Sequence, residues 1–330
     1  MRVVVLGGTG FIGGYVVRRL VRNTHDVTVF HRGVDEPALP PSVRHIHASF
    51  DRLADHRREL QRQRPEVVLD MVPYLDKDGH GTAHFRGIAD RAVVISSGDV
   101  YRAFARLWAS EPGRPDPVPL REDSPLRTLP APDTRPADAF DNLEAEAAAL
   151  ADRALPATIL RLPATHGPRD RQHRLAPYLR SMRDGRSAIV LGESHAQWRW
   201  SRGYVENVAT AIALAVEDQR ATGRIYNVGA EPTLPEADWV RTIASVTGWN
   251  GEVRVLPDEQ LPAALRQPFD FTQHLELDTT AIRSELGFRE PVTEVEGLRR
   301  TIEWELKMLD EVPELRLDYA AEDEALADLG

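Results

Sequence analysis

Gly7-Gly8-Thr9-Gly10-Phe11-Ile12-Gly13 lies between the β-branched run Arg2–Leu6 and a segment, Phe11–Arg22, whose apolar residues Ile12, Val16, Val17, Leu20 and Val21 recur at helical spacing. Glycines in the order G-x-x-G-x-x-G between a strand and a helix have separate tasks. The first permits the tight turn, the second lets backbone approach a pyrophosphate, and the third lets the helix pack closely on the strand. The helix N-terminus adds free N–H groups and the positive end of its dipole. Gly7, Gly10, Phe11, Ile12 and Gly13 are therefore the expected cofactor-binding residues of a dinucleotide cradle. The competing reading is a tight turn that binds nothing.

Outward from this turn, strands and helices alternate at roughly 20–30 residues, the signature of a parallel sheet covered on both faces. Strands are predicted at Asp26–Phe30, Val43–His47, Glu66–Val72, Ala92–Ser97 and Ala157–Leu162, with helices at Leu53–Arg64, His80–Asp90 and Asn142–Ala154. The expected fold class is α/β, a Rossmann doubly wound parallel sheet. Arg106–Ala137 interrupts the pattern with eight prolines in 32 residues, which rules out a regular helix or central strand. That segment reads either as a wall over a site or as a solvated excursion. Further on, helices are predicted at Leu175–Asp184, Val205–Asp218, Pro235–Thr247, Thr280–Leu286 and Val295–Leu309, and a strand at Arg224–Val228. The acidic, Ala-rich tail after Glu311 reads as peripheral or frayed.

Composition narrows the chemistry. The 330 residues are enough to bury a large core without cross-links. With no cysteine, the chain has no disulfide, thiolate metal ligand or Cys nucleophile. No apolar run approaches the roughly 20 residues of a membrane span, and the N-terminus lacks a signal-peptide layout, so a cytoplasmic setting is expected. The net charge of −10 weighs against polyanionic partners. Only two of the 41 basic residues are lysines, Lys77 and Lys307, so any chemistry needing a lysine has two candidates.

The end of the second strand selects the cofactor. An acid there would bind a ribose 2′-hydroxyl and favour NAD. The sequence instead reads Phe30-His31-Arg32-Gly33, with no acid before Asp35. Arg32 can pair a 2′-phosphate through its guanidinium fork, so NADP(H) is expected over NAD. Arg32 as an ordinary surface arginine is the competing reading.

Gly7–Gly13, Ser96-Ser97-Gly98-Asp99-Val100-Tyr101 and Arg161–Pro168 together resemble the extended short-chain dehydrogenase/reductase superfamily, which includes nucleotide-sugar epimerases and dehydratases. Thr165-His166-Gly167-Pro168 is similar to its V-Y-G-P turn, and Arg202–Ala209 to its Y/H-V-D-D-V-A segment. Asp278–Phe288 is similar to its L-D-x-S-K-x-x-x-L-G-W segment. The resemblance implies a dinucleotide-binding Rossmann domain over residues 1–165 and a smaller, mainly substrate-binding C-terminal α/β domain over 166–330, some of whose segments return to the first. It implies catalytic Ser97, an acid/base role for Asp99, adenine contact at Asp51 and nicotinamide contact near Pro163 and Ala164. A homodimer is common in the resembled family.

The sequence departs from that family at its proton-transfer pair, Tyr-x-x-x-Lys. None of the seven tyrosines has a lysine four residues on. On the helix that should carry the pair, Asp138 and Asn142, or in the other register Phe140 and Glu144, stand in its place. The chain is thus identified as an atypical member.

A replacement acid or base must reach the reacting proton with a pKa near working pH. Asp99, just past the fifth strand's C-terminal end, is the leading candidate, because ligands of open α/β sheets bind there. A turn-capping aspartate is its alternative role. Tyr101 offers a phenol, Ser97 an orienting hydroxyl, and His166 and Asp141 are outside candidates. No metal is expected: His80 and His84 lack an H-E-x-x-H glutamate, and His45 and His47 alternate along one strand and share a face. Trp198 and Trp200 either line a substrate pocket or pack the second domain.

Three functions fit these residues. The first is an NADP(H)-dependent oxidoreductase acting on a small metabolite, nucleotide-sugar-like or secondary. The second is a redox-neutral or non-redox dehydratase, epimerase or cyclase with Asp99 as base. The third is a non-catalytic protein that binds RNA or senses the cofactor, since His31-Arg32-Gly33 resembles the strand end of RNA-binding chloroplast relatives. Nucleic-acid binding is disfavoured, because the basic helix of Arg57, Arg58, Arg62 and Arg64 is diluted by Asp51, Asp55 and Glu59.

Overall fold

Successive residues of β1, Arg2–Leu6, point to opposite faces: Val3 and Val5 enter one hydrophobic core, and Val4 and Leu6 the other. The same division recurs in β2 (Asp26–His31), β4 (Val67–Asp70) and β5 (Arg91–Ser97), as expected of strands buried on both faces. In the computed structural model, which describes residues 1–34, 38–73, 75–76, 79–129, 141–312, 315 and 317–327, these strands join β3 (Arg44–His47), β6 (Ala157–Leu162) and β7 (Ile225–Asn227). Together they form one seven-stranded sheet in the order β7-β6-β5-β4-β1-β2-β3, every pair parallel. The order reverses between β1 and β4, which places the ligand crevice beyond the C-terminal ends of those two strands.

Helix α1 (Phe11–Arg22) and the helix Val205–Glu217 pack together on one face, the latter buried along most of its length. The opposite face is covered by Leu53, Leu60, Phe85 and Ala149. A second core gathers Leu179, Ile189, Trp239, Ile243 and Leu298 around the parallel strands Ala188–Gly192 and Glu252–Leu256. No described helix is long and apolar enough to cross a membrane.

Several sequence expectations are corrected. His80–Asp90 is not an α-helix: Gly81–Phe85 forms a 3-10 turn and Gly87 adopts φ +71°. The left-handed conformation of Gly87 is one that an α-helix through His80–Asp90 could not contain. Leu53–Arg64 divides into a 3-10 segment, Phe50–His56, and a short α-helix, Arg57–Gln63, ended by left-handed Arg64 before Pro65. The C-terminal helix Tyr319–Ala327 is docked rather than frayed. Ala321, Glu322 and Ala325 are buried, the Arg186 guanidinium lies 4.7 Å over the Tyr319 ring, and Tyr319 Oη donates to Asp184 at 2.8 Å.

Of the proline-rich segment, residues 108–129 carry no helix or strand longer than a single bridge, and Asp116 anchors them through ion pairs with Arg102 and Arg106. Residues 130–137 of that segment, and Asp35, Tyr74, Lys77, Asp78, Asp138 and Phe140, lie outside the described residues.

Candidate active site

The glycine turn has the geometry its sequence requires. Gly7 sits at φ +78°, and a Cβ there would strike Val72, beyond β4. A Cβ on Gly13 would lie 2.9 Å from the Gly8 backbone, so only glycine lets α1 sit this close to the turn. At Gly10 a Cβ would meet nothing within 4 Å. Gly10 caps α1 without a side-chain hydrogen bond, and the first helical turn carries no acid. Uncapped N–H groups facing open space at a helix N-terminus fit a pyrophosphate. Phe11 and Ile12 form the half-buried first turn, and the Phe11 ring meets Tyr15 edge-on at 6.5 Å.

Arg32 and Asp51 are exposed and follow the ends of β2 and β3. His31, at the end of β2, joins His45 and His47 across the β2–β3 pair, with ring nitrogens of all three within 4.8 Å of one another. His45 and His47 therefore do share a face, as the alternation predicted, and His31 was missed as the third member. The Gly33 N–H donates to His31 Nδ1 at 3.2 Å, which leaves Nε2 as the donor to His45 Nδ1 at 2.8 Å.

A cavity of about 1070 Å³ opens beyond the ends of β5 and β6. Ser97, Asp99 and Pro163 all line it. Ser97 Oγ accepts the Asp99 N–H at 3.2 Å and so fixes the turn after β5. Asp99 is buried, and Asn142 Nδ2 donates to its two carboxylate oxygens at 3.0 and 3.1 Å. Asn142 opens the helix Asn142–Ala151, on which one register sets it in the place of the missing lysine; its role as the holder of Asp99 is not visible in the sequence.

Tyr101 is not part of the cavity wall and is withdrawn as a catalytic candidate. Its ring is fully buried, Oη donates to Asn227 Oδ1 at 2.7 Å, and Arg161 donates to Oη at 2.9 Å. Burial pushes its pKa up to about 12 despite the Arg161 charge. Arg161 is itself sealed in the core against Glu146, at 2.7 and 3.0 Å. The tyrosine that does line the cavity among the described residues, Tyr178, gives its hydroxyl to Glu236 at 2.6 Å. Burial also raises that phenol well above its usual range. His166 is sealed too: burial lowers its pKa to about 3, and its Nδ1 meets Thr301 Oγ1 at 3.1 Å. Asp141 is committed to Arg127, at 2.6 and 2.7 Å, and to capping its helix through the Leu143 N–H.

Trp198 and Trp200 do both things expected of them as alternatives. They line the cavity, and they pack a buried cluster with Phe271 and Leu275. Trp108 and Phe269, whose rings meet edge-on at 4.8 Å, extend the same wall and were not singled out in the sequence.

The family model of the NAD-dependent epimerase/dehydratase family matches residues 3–78 and 139–229, just over half of the chain, and includes both the glycine turn and Asn142. The chain belongs to the NAD-dependent epimerase/dehydratase family. As a member it is an enzyme. It is 26% identical to a dTDP-glucose 4,6-dehydratase of Streptomyces niveus over 92% of each chain. It is also 26% identical to a 2′-dehydrokanamycin reductase of Streptomyces kanamyceticus, over 71% of this chain and 63% of that one. Among solved structures, an NAD-dependent NDP-hexosamine 5,6-dehydratase of tunicamycin biosynthesis superposes with TM-score 0.67, 22% identity and 94% and 100% coverage. The UDP-glucose 4-epimerase of Thermotoga maritima superposes with TM-score 0.67, 19% identity and the same coverage. These two likenesses bear on the fold. The Gly7–Gly13 turn fits the family's nicotinamide dinucleotide by the geometry above.

Proposed function

We propose that the protein is an NADP(H)-dependent oxidoreductase that reduces a carbonyl on a small, sugar-like metabolite held in the 1070 Å³ cavity. One observation carries the reading: Ser97, Asp99 and Pro163 meet in one wall, at the end of the sheet where the glycine turn would deliver a nicotinamide. The dinucleotide, when bound, supplies or accepts a hydride. The chain's own residues do the rest. The uncapped first turn of α1 holds the pyrophosphate, with Asp51 beside the adenosine half. Ser97 Oγ orients the carbonyl oxygen, and Asp99 in its protonated form, positioned by Asn142, gives that oxygen its proton as the carbon is reduced and is left as the carboxylate, to be reprotonated from solvent. Tyr101 takes no part.

Arg32 selects the phosphorylated cofactor in this reading. Calorimetric titration of wild type and Arg32→Ala with NADPH, NADP⁺, NADH and NAD⁺ tests it. The expected result is tighter binding of NADP(H) than NAD(H) by wild type, lost in the variant. Equal affinities in both proteins would leave the adenosine half without a phosphate reader. Relatives of known structure described as complexes with NAD make that comparison necessary.

The named dehydratase relatives favour a second reading, in which Asp99 acts as base in a redox-neutral reaction. Product formation without net NADPH consumption would select it.

A further inference from the structure

We propose that His31, His45 and His47 form a binding site for one divalent transition-metal ion at the edge of the sheet, with zinc as the expected occupant. The site lies outside the large cavity and is independent of the proposed reaction.

Its geometry follows from strand register. β3 is the outermost strand, and His31 pairs with His47 across the parallel β2–β3 ladder. Paired residues of parallel strands point to the same face, and so do alternate residues along one strand. Val29 and Val43 mark that face, because both belong to the core beneath α1. His31 follows Val29, and His45 and His47 follow Val43, at this alternation. The three rings thus gather where the valines end, with His31 buried and the other two exposed.

The ring centroids are 4.7 Å apart for His31 and His47, 5.0 Å for His31 and His45, and 5.8 Å for His45 and His47. One nitrogen from each ring lies within 4.8 Å of the other two. Among the described residues, no other three histidine or acidic side chains converge in this way. Sequence spacing points to no metal because the third ligand, His31, comes from the neighbouring strand, 14 residues before His45.

The donor set selects the ion. Three imidazole nitrogens suit zinc, copper or nickel, whereas magnesium and calcium require oxygen ligands. Zinc–nitrogen bonds of about 2.0–2.1 Å hold tetrahedral ligands about 3.3 Å apart. The facing nitrogens of His31 and His45, at 2.8 Å, need only part slightly, and the wider separations need to close. Both movements fall to the exposed rings of His45 and His47, while buried His31 is the fixed ligand. The ion takes the place of the proton that His31 Nε2 gives to His45 Nδ1. His31 then carries its proton on Nδ1, and the N–H of exposed Gly33, which donates there at 3.2 Å, turns to water. Two hydrogen bonds are exchanged for three metal–nitrogen bonds. Three protein ligands leave a fourth position for water or an anionic oxygen.

The test is calorimetric titration of the full chain, without a polyhistidine tag and stripped by chelator, with zinc chloride and separately with magnesium chloride. One zinc per chain is expected, and no magnesium. His45→Asn and His47→Asn each change an exposed residue. Each should weaken zinc binding by more than about tenfold, since loss of a residue that merely supports a metal ligand already costs that much. Zinc should raise the Tm of wild type and leave that of the double variant His45→Asn, His47→Asn unchanged. Cobalt(II) gives a second readout, a visible absorption of the nitrogen-ligated ion in wild type that is absent from the double variant. No stoichiometric zinc binding, equal affinity for magnesium, or an undiminished zinc affinity in either single variant would each overturn the proposal and leave the three rings a hydrogen-bonded stack. The titration reads zinc alone, so its outcome stands whether or not a dinucleotide binds.

Discussion

Asn142 Nδ2 spans the two carboxylate oxygens of Asp99 at 3.0 and 3.1 Å, joining the first turn of the helix Asn142–Ala151 to the turn after β5. If Asp99 moves the proton, Asn142 is its positioning residue. Asp99→Asn should lower kcat by about 10²–10⁴-fold, the usual range for a general acid or base. Asn142→Ala should lower kcat by about tenfold. In both variants KM and dinucleotide affinity should stay within about a factor of three. A rise in KM at constant kcat would mean that the pair only binds substrate.

Tyr101→Phe tests whether this buried phenol is purely structural. Its hydroxyl is committed to Asn227 and Arg161 in the core, so turnover should remain within a few-fold of wild type. Stability should fall by about 1–3 kcal/mol, because a buried acceptor and donor lose their partner. Denaturant unfolding beside steady-state kinetics reads both numbers. Loss of activity with unchanged stability would return the phenol to the mechanism.

Gly10→Asp should divide binding from folding. Its Cβ enters open space, and an aspartate at this position can cap α1, so thermal stability should be unchanged or slightly raised. The carboxylate would occupy and repel the pyrophosphate position, and dinucleotide affinity should drop at least about 100-fold by calorimetry. Retained affinity would show that the turn serves only the fold.

Asp70 sets a pH dependence on stability. Its carboxyl lies fully buried at the end of β4, and burial lifts its pKa from 3.8 to about 7, opposed by the Val72 N–H that it accepts at 3.1 Å. The folded state therefore holds this proton more tightly than the unfolded chain. The stabilisation is complete below about pH 4, declines as pH rises towards 7 and is gone above it. Asp70→Asn removes the titration. The variant's stability relative to wild type should rise across that window and level off near pH 8, by up to about 4 kcal/mol. A difference that stays constant from pH 4 to 8 would place the ionisation elsewhere.

The sheet and the cofactor turn were legible because they are local. Alternation in Arg2–Leu6 and the glycine spacing act within a dozen residues, and α1 occupies the predicted Phe11–Arg22. The cavity was half legible. Ser97, Asp99 and Pro163 could be placed by their position past strand ends, but the direction of Tyr101 depends on the 3-10 turn Gly98–Val100, which no periodicity announces. The aromatic wall pairs Trp108 with Phe269, and Asp99 depends on Asn142; such partners are chosen by tertiary packing. The tail helix looked frayed because its buried face is mainly alanine, a weak apolar signal, and Arg186, far back in the sequence, is what holds it.

The path of the chain between its two main cores limits how the enzyme can open. Strand Ala164–His166 pairs with Arg202–Tyr204, the helix Val205–Glu217 then returns to α1, and β7 rejoins the sheet beside β6. Each return is a tether that a hinge would have to stretch. Adaptation to ligands should fall to rotamers of the cavity wall instead of rigid-body closure. Small-angle scattering profiles recorded with and without cofactor and substrate should superimpose, and crystals of the free protein should tolerate soaking without cracking.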